Sequence, residues 1–405
     1  MRKGARALVI GGSMSGLFVA LVLMRRGFQV EVFERVADAL AGRGAGIVAQ
    51  PDVKDLLRTL GIEDRDLGVD VTVRRMFARD GHVTHEVPLR QTMTAWERLF
   101  HLLKLAVPST QYHTGKELRR VEQRADGVVA HFADGTSAEG DVLIGADGIR
   151  STVRQQLLPD VAPRYAGYTA WRGLVAEAVF PPDLHRALYE VFGFCLPANE
   201  QMLGYPVAGA DNDLRVGHRR YNFVWYRPAS EETELPHLLT DDTGRTHTLS
   251  IPPPLIARDV IAAMRSDAAR VLSPQFNAMI GLCTQPFLQP IYDLEVPHMA
   301  FGRVAILGDA AFVARPHVGA GVAKAAADAA VLANALASEE SVDAALRRFE
   351  AARLLVGEQI IARARHLGAY VQASQRTEAE RAYAERHRTP EAVLAETATM
   401  DFLAA

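Results

Sequence analysis

The sequence has few of the features that mark several broad classes of protein. Among its 405 residues there are only two cysteines, Cys195 and Cys283, which lie far apart and lack the paired spacing of a zinc site. No disulfide framework and no metal site are therefore expected. Sparse cysteine usage of this kind is typical of a reducing compartment, so the sequence predicts a cytoplasmic protein.

Long apolar runs and a strong net charge are also missing. The apolar run at residues 17–24 is too short to cross a bilayer, and the glycines and serines before it do not suit a signal peptide. The formal net charge of −3 gives no reason to expect a nucleic acid or an anionic membrane as partner. The sequence also lacks a Ser/His/Asp order and a phosphate-binding lysine loop, which argues against hydrolysis and phosphoryl transfer.

What the sequence does contain is organised around a glycine-rich stretch near its start. Residues 7–10 (ALVI) predict a buried strand, residues 11–16 (GGSMSG) a turn that opens a helix, and residues 30–34 (VEVFE) a second strand that ends in an acid. This order is the layout of a dinucleotide-binding βαβ unit. The alternative is a glycine-rich turn in an ordinary α/β core.

Each part of this unit has a chemical reason. Gly11 makes the tight turn, and the free N–H groups of the helix start would face a pyrophosphate. Glu34 can accept a hydrogen bond from a ribose hydroxyl. Ser13 stands where the pattern expects its central glycine.

Two further strand-to-turn-to-helix junctions occur later in the chain. Residues 141–154 predict a strand, a turn at Asp147, and a helix capped by Ser151 that carries Arg154. Residues 302–324 predict a strand that ends at Asp309 and a glycine-flanked start of an alanine-rich helix. Acids and basic groups beside free helix N-termini favour contacts to phosphates and hydroxyls.

The intervening segments predict the domain organisation. A chain of this length predicts more than one domain. Residues 165–290 show alternating aromatic segments, which indicate an antiparallel sheet that could wall a substrate pocket. The sequence thus predicts an α/β fold with residues 1–164 and 291–375 as a nucleotide-binding domain, residues 165–290 as an inserted substrate domain, and residues 376–405 as a helical tail. We expect that tail to be a solvated helical segment, with a contact in a homodimer as the alternative.

Together, the three junctions resemble the single-component FAD-dependent aromatic hydroxylases, the class A flavoprotein monooxygenases similar to para-hydroxybenzoate hydroxylase. Within that family the sequence is most similar to pyridine hydroxylases of the 2,6-dihydroxypyridine 3-hydroxylase type. The closer similarity rests on Ser13 in the first turn and on residues 44–51 (GAGIVAQP), 164–173 (RYAGYTAWRG) and 308–317 (GDAAFVARPH). The fold implied is a Rossmann-like FAD-binding domain with an inserted, mostly antiparallel substrate domain.

The resemblance implies an extended FAD and a set of residues that bind it: Gly11, Gly12, Ser13, Ser15, Gly16, Glu34, Arg35, Arg43, Gly46, Leu118, Asp147, Arg154, Asp309, Pro316, Gly319, Ala320, Gly321 and Val322. Among them, Asp309 would bind the ribityl chain and Leu118 would lie by the adenine. The sequence departs from the family at three points. Trp96 replaces a frequent arginine, Phe312 replaces a common histidine, and Ala320 replaces the glutamine of the usual Gly-Gln-Gly.

The activity that the resemblance implies is hydroxylation of a small aromatic substrate. NADPH or NADH would reduce FAD, O2 would add to give a flavin hydroperoxide, and a hydroxyl-activated ring would take its distal oxygen. Tyr205 and His317 are the candidate catalytic residues, Tyr205 to orient a ring oxygen and His317 to take a proton. Each has an equally good structural interpretation, as a packed core tyrosine and as a loop-capping histidine.

Other functions remain open at this point. A different FAD-dependent oxidoreductase, such as a phenol or hydroxybenzoate hydroxylase, a halogenase or a reductase, could use the same FAD site. A non-catalytic flavin- or NAD-binding regulator would need only the first junction, and the presence of Asp147, Arg154 and Asp309 argues against it.

Overall fold

The computed structural model describes residues 4–37 and 46–403 of the chain. Arg43 and most of the glycine-rich loop before residue 46 lie outside the described residues. The described helices are α1 (Met14–Arg25), α2 (Pro51–Leu60), α3 (Trp96–Ala106), α4 (Thr152–Leu157), α5 (Pro182–Leu188), α6 (Glu234–Leu238), α7 (Arg258–Val271), α8 (Pro274–Leu282), α9 (Gly321–Ser338), α10 (Val342–Leu367), α11 (Glu378–His387) and α12 (Pro390–Glu396).

The described strands form three sheets. They are β1 (Arg6–Ile10), β2 (Gln29–Phe33), β3 (Gly46–Val48), β4 (Val69–Phe77), β5 (Val83–Ala95), β6 (Tyr112–His113), β7 (Leu118–Gln123), β8 (Val128–Phe132), β9 (Ser137–Gly140), β10 (Val142–Gly145), β11 (Arg164–Ala176), β12 (Val191–Cys195), β13 (Gln201–Val207), β14 (Arg220–Pro228), β15 (Phe287–Asp293), β16 (Ala300–Phe301) and β17 (Val304–Ile306).

The first sheet has six strands in the order β16-β17-β10-β1-β2-β6, and all neighbours except β16 and β17 are parallel. Its central strands β1 and β10 are buried and apolar, as expected for parallel strands covered on both faces. Helices α1 and α9 pack together against this sheet. The order confirms the predicted nucleotide-binding α/β unit, and it brings the ends of β1, β10 and β17 to one edge.

The second sheet has eight strands in the order β15-β11-β14-β13-β12-β4-β5-β3, and its described pairs are antiparallel except β12 with β4. Alternate residues of its central strands enter different cores. Trp225 and Met202 pack in one apolar cluster with α7 and α8, whereas Tyr205 and Tyr226 face the other side. This alternation is what the aromatic segments of residues 165–290 predict.

Sheet membership does not follow the predicted division of the chain. Strands β3, β4 and β5 join the substrate sheet although they lie within residues 1–164. The physical reason is the parallel pairing of β4 with β12, which extends that sheet with strands from an earlier part of the chain. The division into domains at residues 164 and 290 stays a prediction.

The prediction that the C-terminal segment is a solvated tail is wrong. Val393 and Leu394 of α12 are buried in the same apolar cluster as Tyr226 and Phe192 of the substrate sheet. The segment therefore contributes to the core under that sheet. Across the described residues, no helix combines the length and apolar character that a membrane span requires.

The buried side chain of Phe312 makes one close contact with a long helix. Its ring is 1% exposed and packs against α10 at Gly357, where an added Cβ would lie 2.5 Å from the ring carbon Cε2. Glycine inside a long helix usually lowers stability, so this position is set by packing.

We expect Gly357→Ala to destabilise the protein by about 1–3 kcal/mol, because the added methyl group overpacks against Phe312. The matched control is Gly281→Ala in α8, where no atom of the described residues outside the local helix backbone lies within 4 Å of the added Cβ. That change should be neutral or stabilise by up to about 1 kcal/mol through helix propensity. Urea unfolding of both variants measures the difference, and equal effects would contradict this account.

Candidate active site

One elongated cavity of about 840 Å³ runs from the edge of the parallel sheet to the substrate sheet. Residues from all three junctions line it, together with Trp96, Thr397 and Ala398 and a patch of the substrate sheet. A single cavity that joins these parts is what an extended dinucleotide with a neighbouring substrate requires.

The first turn depends on close backbone packing. Gly11 has a φ of +103°, and a Cβ there would lie 2.3 Å from the carbonyl oxygen of Ala146. A Cβ on Gly16 would lie 1.8 Å from the carbonyl oxygen of Gly11. These glycines set the turn against the neighbouring strand, and Ser13 follows as the N-cap residue of α1 with no side-chain capping bond. The helix N-terminus therefore faces the cavity.

Glu34 is held in place by backbone donors. Its two carboxylate oxygens accept hydrogen bonds from the N–H of Gly12 at 2.8 Å and the N–H of Val36 at 2.9 Å. The side chain is buried apart from its cavity edge, and it lines the cavity. Since a carboxylate can accept about four hydrogen bonds, a ribose hydroxyl could still be bound there.

At the second junction, Asp147 caps its own helix. Its oxygens accept from the Ser151 hydroxyl at 2.5 Å and from the N–H groups of Thr152 and Val153. Burial raises the pKa of the Asp147 carboxyl, against the lowering effect of these hydrogen bonds. The sequence correctly predicts this turn with Ser151 as the N-cap of α4.

Arg154 lies beneath the cavity. Its guanidinium donates to the carbonyl of Ala310 at 3.0 Å and to the carbonyl of Ile149 at 2.6 Å. Both terminal nitrogens are therefore occupied, and the side chain is 1% exposed. This geometry argues against the direct cofactor contact that the sequence predicts. Arg154 instead links the second and third junctions by hydrogen bonds.

The third junction presents an acid to the cavity. Asp309 has no hydrogen-bond partner among the described residues, and its exposed surface faces the cavity that it lines. Although this side chain is open to the cavity, desolvation by the surrounding protein raises the pKa of its carboxyl. The charge of Lys324 opposes that rise, and the charge of Asp328 adds to it. Lys324 donates to the carbonyl of Gly308 and to Asp328, and Asp328 also accepts from Arg353. This buried charged group fixes the turn that carries Asp309.

Most of the predicted cofactor residues come together in the cavity wall. Those that line it are Gly11, Ser13, Ser15, Glu34, Arg35, Gly46, Leu118, Asp147, Asp309, Pro316, Gly319, Ala320, Gly321 and Val322. Gly12 and Gly16 support the turn from behind through the contacts of their backbones. The unpartnered carboxyl of Asp309 and the glycine-lined turn show that these residues fit an FAD molecule.

The substrate-sheet end of the cavity carries a polar group of four side chains on an apolar surface, which we call the sheet polar cluster. It consists of Arg172, Tyr205, Tyr226 and Gln289. Arg172 donates to the Gln289 amide oxygen at 2.8 Å, while its Nε has no hydrogen-bond partner in the described part of the chain. The hydroxyls of both tyrosines have no hydrogen-bond partner among the described residues and remain available to a ligand.

The protonation state of Tyr205 follows from its surroundings. Burial raises the pKa of its phenol to about 12, and the nearby positive charge of Arg172 moderates the rise. The hydroxyl is therefore protonated near neutral pH and can donate a hydrogen bond. The structure places Tyr205 where the sequence predicts it, facing the cavity beside Gly46.

His317 does not have the setting of a general base. It is 2% exposed, its Nε2 lies 3.0 Å from the Tyr168 hydroxyl, and its ring packs against Tyr226 at 4.2 Å between centroids. Burial, with a smaller effect from Arg315, lowers the pKa of its imidazole to about 3. The geometry favours a neutral, buried histidine that supports Tyr226 and argues against the predicted proton-accepting role.

Sequence reasoning missed several residues of this wall. Tyr226 and Gln289 could have been found by extending the two-residue alternation along β14 and β15, because Tyr205 already marks the cavity-facing side. Thr397 and Ala398 have no such signal, since their place depends on how the C-terminal helices fold back. Within the described part of the chain, no group of three or more His, Cys, Asp or Glu residues could hold a metal ion.

Comparison with known proteins agrees with this geometry. The chain matches the family described as FAD binding domain-like over residues 165–293 and the FAD binding domain family over residues 291–364. It is 32% identical over 368 residues to 2,6-dihydroxypyridine 3-monooxygenase of Paenarthrobacter nicotinovorans, which covers 91% of each chain.

Solved structures give the same result. The structure of 2,6-dihydroxypyridine-3-hydroxylase from Arthrobacter nicotinovorans superimposes with a TM-score of 0.86 at 31% identity, covering 93% of this chain and 95% of the other. The Klebsiella pneumoniae protein HpxO, solved with FAD and uric acid, superimposes with a TM-score of 0.77 at 25% identity, covering 97% and 96%.

We expect Asp309→Ala to lower FAD retention at least about tenfold, because a buried charge-assisted hydrogen bond to a ligand hydroxyl contributes about 1.5–3 kcal/mol. The far-UV circular dichroism spectrum should not change. Asp160→Ala, at an exposed acid outside the cavity, serves as the control. The flavin-to-protein absorbance ratio after gel filtration gives the measurement, and equal ratios would remove the assignment of Asp309.

A pH dependence of stability follows from His317. Its folded-state pKa of about 3 lies below the ordinary value of 6.5, so the unfolded chain binds the extra proton first and stability falls as pH drops below about 6.5. We expect His317→Gln to show a shallower loss of unfolding free energy between pH 7 and 4. Tyr168→Phe keeps the imidazole buried and should retain the steep dependence. Urea unfolding at several pH values tests this, and parallel curves for wild type and His317→Gln would contradict it.

Proposed function

Because the chain belongs to the class A FAD-dependent aromatic monooxygenases, we propose that its substrate is a ring-hydroxylated aromatic compound of the pyridine class. NADPH or NADH would be the reductant and O2 the oxidant. Bound FAD would supply the redox chemistry, carrying two electrons from the nicotinamide to O2 and one oxygen atom to the ring. The observation that carries the proposal is the sheet polar cluster. It lines the same cavity as residues 316–322, which we call the flavin loop.

The cofactor end of the cavity suits this assignment. The N-terminus of α1 and Ser13 would hold the pyrophosphate, and Glu34 would accept from the adenosine ribose. Asp309 would bind the ribityl hydroxyls. The backbone at Gly319 and its neighbours would meet the pyrimidine edge of the flavin, so the substrate ring would lie between that loop and the substrate sheet.

The sheet polar cluster suits a ring oxygen that carries negative charge. The protonated hydroxyls of Tyr205 and Tyr226 can donate hydrogen bonds to such an oxygen, and the guanidinium of Arg172 adds positive charge beside them. An ionised hydroxypyridine is electron-rich at the neighbouring carbon, which favours attack on an electrophilic oxygen. The cluster would therefore both orient the ring and stabilise its reactive form.

The apolar residues around this cluster have a complementary effect. Phe192, Leu203 and Val224 line the same surface and would contact the ring faces and edges. They leave few sites for water beside the reacting atoms, which strengthens the interaction between Arg172 and an anionic oxygen. His317 acts behind this surface as a positioning residue for Tyr226, through the ring contact between them.

A second candidate substrate class follows from Arg172. Its guanidinium could also bind a ring carboxylate in two-point fashion, which would make the protein a hydroxybenzoate hydroxylase. The relative from Paenarthrobacter favours the pyridine class, because that enzyme is named for 2,6-dihydroxypyridine, which has no carboxylate.

The test is a substrate panel with the FAD-loaded enzyme. Oxidation of NADPH and NADH is followed with hydroxypyridines, hydroxybenzoates and acyl-pyridinols, and products are identified by mass spectrometry as substrate plus one oxygen atom. We expect a hydroxypyridine to stimulate reductant oxidation at least about tenfold and to be recovered as the hydroxylated product, because only a ring held in place can accept the oxygen atom. Stimulation confined to hydroxybenzoates or other phenols would contradict the pyridine assignment.

Tyr205→Phe sharpens that test. Loss of one hydrogen bond to a charged oxygen should weaken binding of the accepted substrate about tenfold, or about 1.5 kcal/mol. The flavin content should stay unchanged. Tyr292→Phe, on the same sheet but outside the cavity wall, is the control. Substrate titration followed by the flavin absorbance spectrum measures the dissociation constant, and equal constants would rule out a contact from Tyr205.

A further inference from the structure

The C-terminal segment supplies one wall of the substrate end of the cavity. Thr397 and Ala398 follow helix α12 directly, line the cavity and are each nearly buried. Ala398 lies against the flavin loop so closely that a Cβ on Gly319 would be 2.9 Å from its Cα. These two residues, which we call the tail wall, bridge the flavin loop and the substrate sheet.

A buried arginine holds the tail wall. Arg74 of β4 is 0% exposed and donates to the carbonyl of Leu394 at 2.6 Å and to the carbonyl of Thr397 at 2.7 Å. Its other hydrogen-bond acceptor is the amide oxygen of Gln91, and no carboxylate pairs with it among the described residues. Burial without an acid lowers the pKa of its guanidinium to about 10.

A buried guanidinium without a carboxylate partner destabilises the folded chain unless other groups compensate its charge. A buried cation is normally paired, because its desolvation costs several kcal/mol. Here the compensation comes from carbonyls at the end of α12, which carry the partial negative charge of the helix C-terminus. Arg74 thus links the end of α12 and Thr397 to Gln91, and its guanidinium also lies 5.3 Å from the centroid of the Phe192 ring.

Hydrogen bonds fix both backbone polar groups of Ala398, its N–H and its C=O. Its N–H donates to the carbonyl of His317 at 2.7 Å, and its own carbonyl accepts from the side chains of Gln50 and Gln91. Its φ of +55° is an unfavourable conformation for alanine, costing about 1–2 kcal/mol. The surrounding hydrogen bonds maintain that conformation.

The helix before the tail wall is anchored separately. Glu396 lies 2.6 Å from the Nδ1 atom of His387 in α11 and 3.3 Å from the guanidinium of Arg363 in α10. Leu394 is fully buried under the substrate sheet. Loss of Arg74 should therefore release the tail wall while α12 stays docked.

We propose that Arg74 is a positioning residue that holds the tail wall over the substrate end of the cavity, where the wall excludes water during oxygen transfer. This inference rests on the proposed function. In the coupled reaction, NAD(P)H, H⁺, O2 and the aromatic substrate give NAD(P)⁺, the hydroxylated product and water. When water reaches the activated oxygen, NAD(P)H, H⁺ and O2 give NAD(P)⁺ and H2O2, and the substrate is left unchanged.

The test compares four variants of the FAD-loaded enzyme with the wild type. Arg74→Met removes the charge and the donors, Arg74→Lys keeps the charge but only one donor nitrogen, and Arg90→Met alters an exposed arginine on the neighbouring strand. A truncation after Glu396 removes the tail wall and leaves Arg74 in place. It also covers the case in which Arg74→Met does not fold.

The first readout needs no substrate. Iodide quenching of the flavin fluorescence reports access of solvent to the cavity, and hydrogen exchange of the peptide around Ala398 reports its bond to His317. We expect Arg74→Met and the truncation to raise the quenching constant at least about threefold, Arg74→Lys to restore part of the difference, and Arg90→Met to match wild type. Unchanged quenching in Arg74→Met or, if that variant does not fold, in the truncated enzyme would overturn the proposal.

The second readout is the ratio of H2O2 formed to NAD(P)H consumed with the best aromatic substrate. It should rise at least about threefold in Arg74→Met and in the truncated enzyme, with FAD content unchanged. A raised quenching constant with an unchanged ratio would overturn the role in water exclusion. If no aromatic compound stimulates the wild-type enzyme, the proposed function fails, and the quenching comparison still decides whether Arg74 holds the wall.

Discussion

Parallel pairing of β1, β10 and β17 is the constraint on which the rest of the structure depends. Because these strands run in one direction, their three terminal turns meet at one edge of the sheet, although they come from distant parts of the chain. The turns can lie together only because Gly11 has no side chain between it and Ala146. Arg154 and the buried Lys324–Asp328 pair then fix the second and third turns from below.

In this arrangement, the residues that face a ligand are different from the residues that fix the positions of the three turns. The cavity surface carries the Asp309 carboxyl and the Tyr205 hydroxyl, which have no protein partner among the described residues. The layer beneath it carries charged groups, such as the Arg154 guanidinium and the Lys324–Asp328 pair, whose hydrogen bonds are made to the protein backbone or to each other. Charge placed beneath a cavity sets the geometry of the surface without competing for the ligand. Such a layer costs stability when buried, and it is maintained because the turns above it must not move.

The sequence was sufficient to predict the nucleotide-binding unit, the three junctions and the face of the substrate sheet that carries Tyr205. Local sequence patterns indicate those features, namely glycine spacing, acids that follow strands, and two-residue alternation. The roles of Arg154 and His317 could not be read that way, because only the folded chain shows that carbonyls occupy the arginine and that Tyr168 and Tyr226 enclose the imidazole. The sequence does not indicate the tail wall for the same reason, since Arg74 and its acceptor Thr397 are 323 residues apart in the chain.

The pairing of β4 with β12 has a consequence for recombination between relatives. A segment exchange at residues 165–293, the span of the matched substrate-side family, would carry β11 to β15 and leave β3, β4 and β5 behind. Such a chimera would join two parental halves through the backbone ladder from Val191 to Phe194 and the side chains packed along it. An exchange meant to transfer substrate preference would have to move residues 46–95 as well. The substrate sheet packs as one unit, although its strands come from two separate segments of the chain.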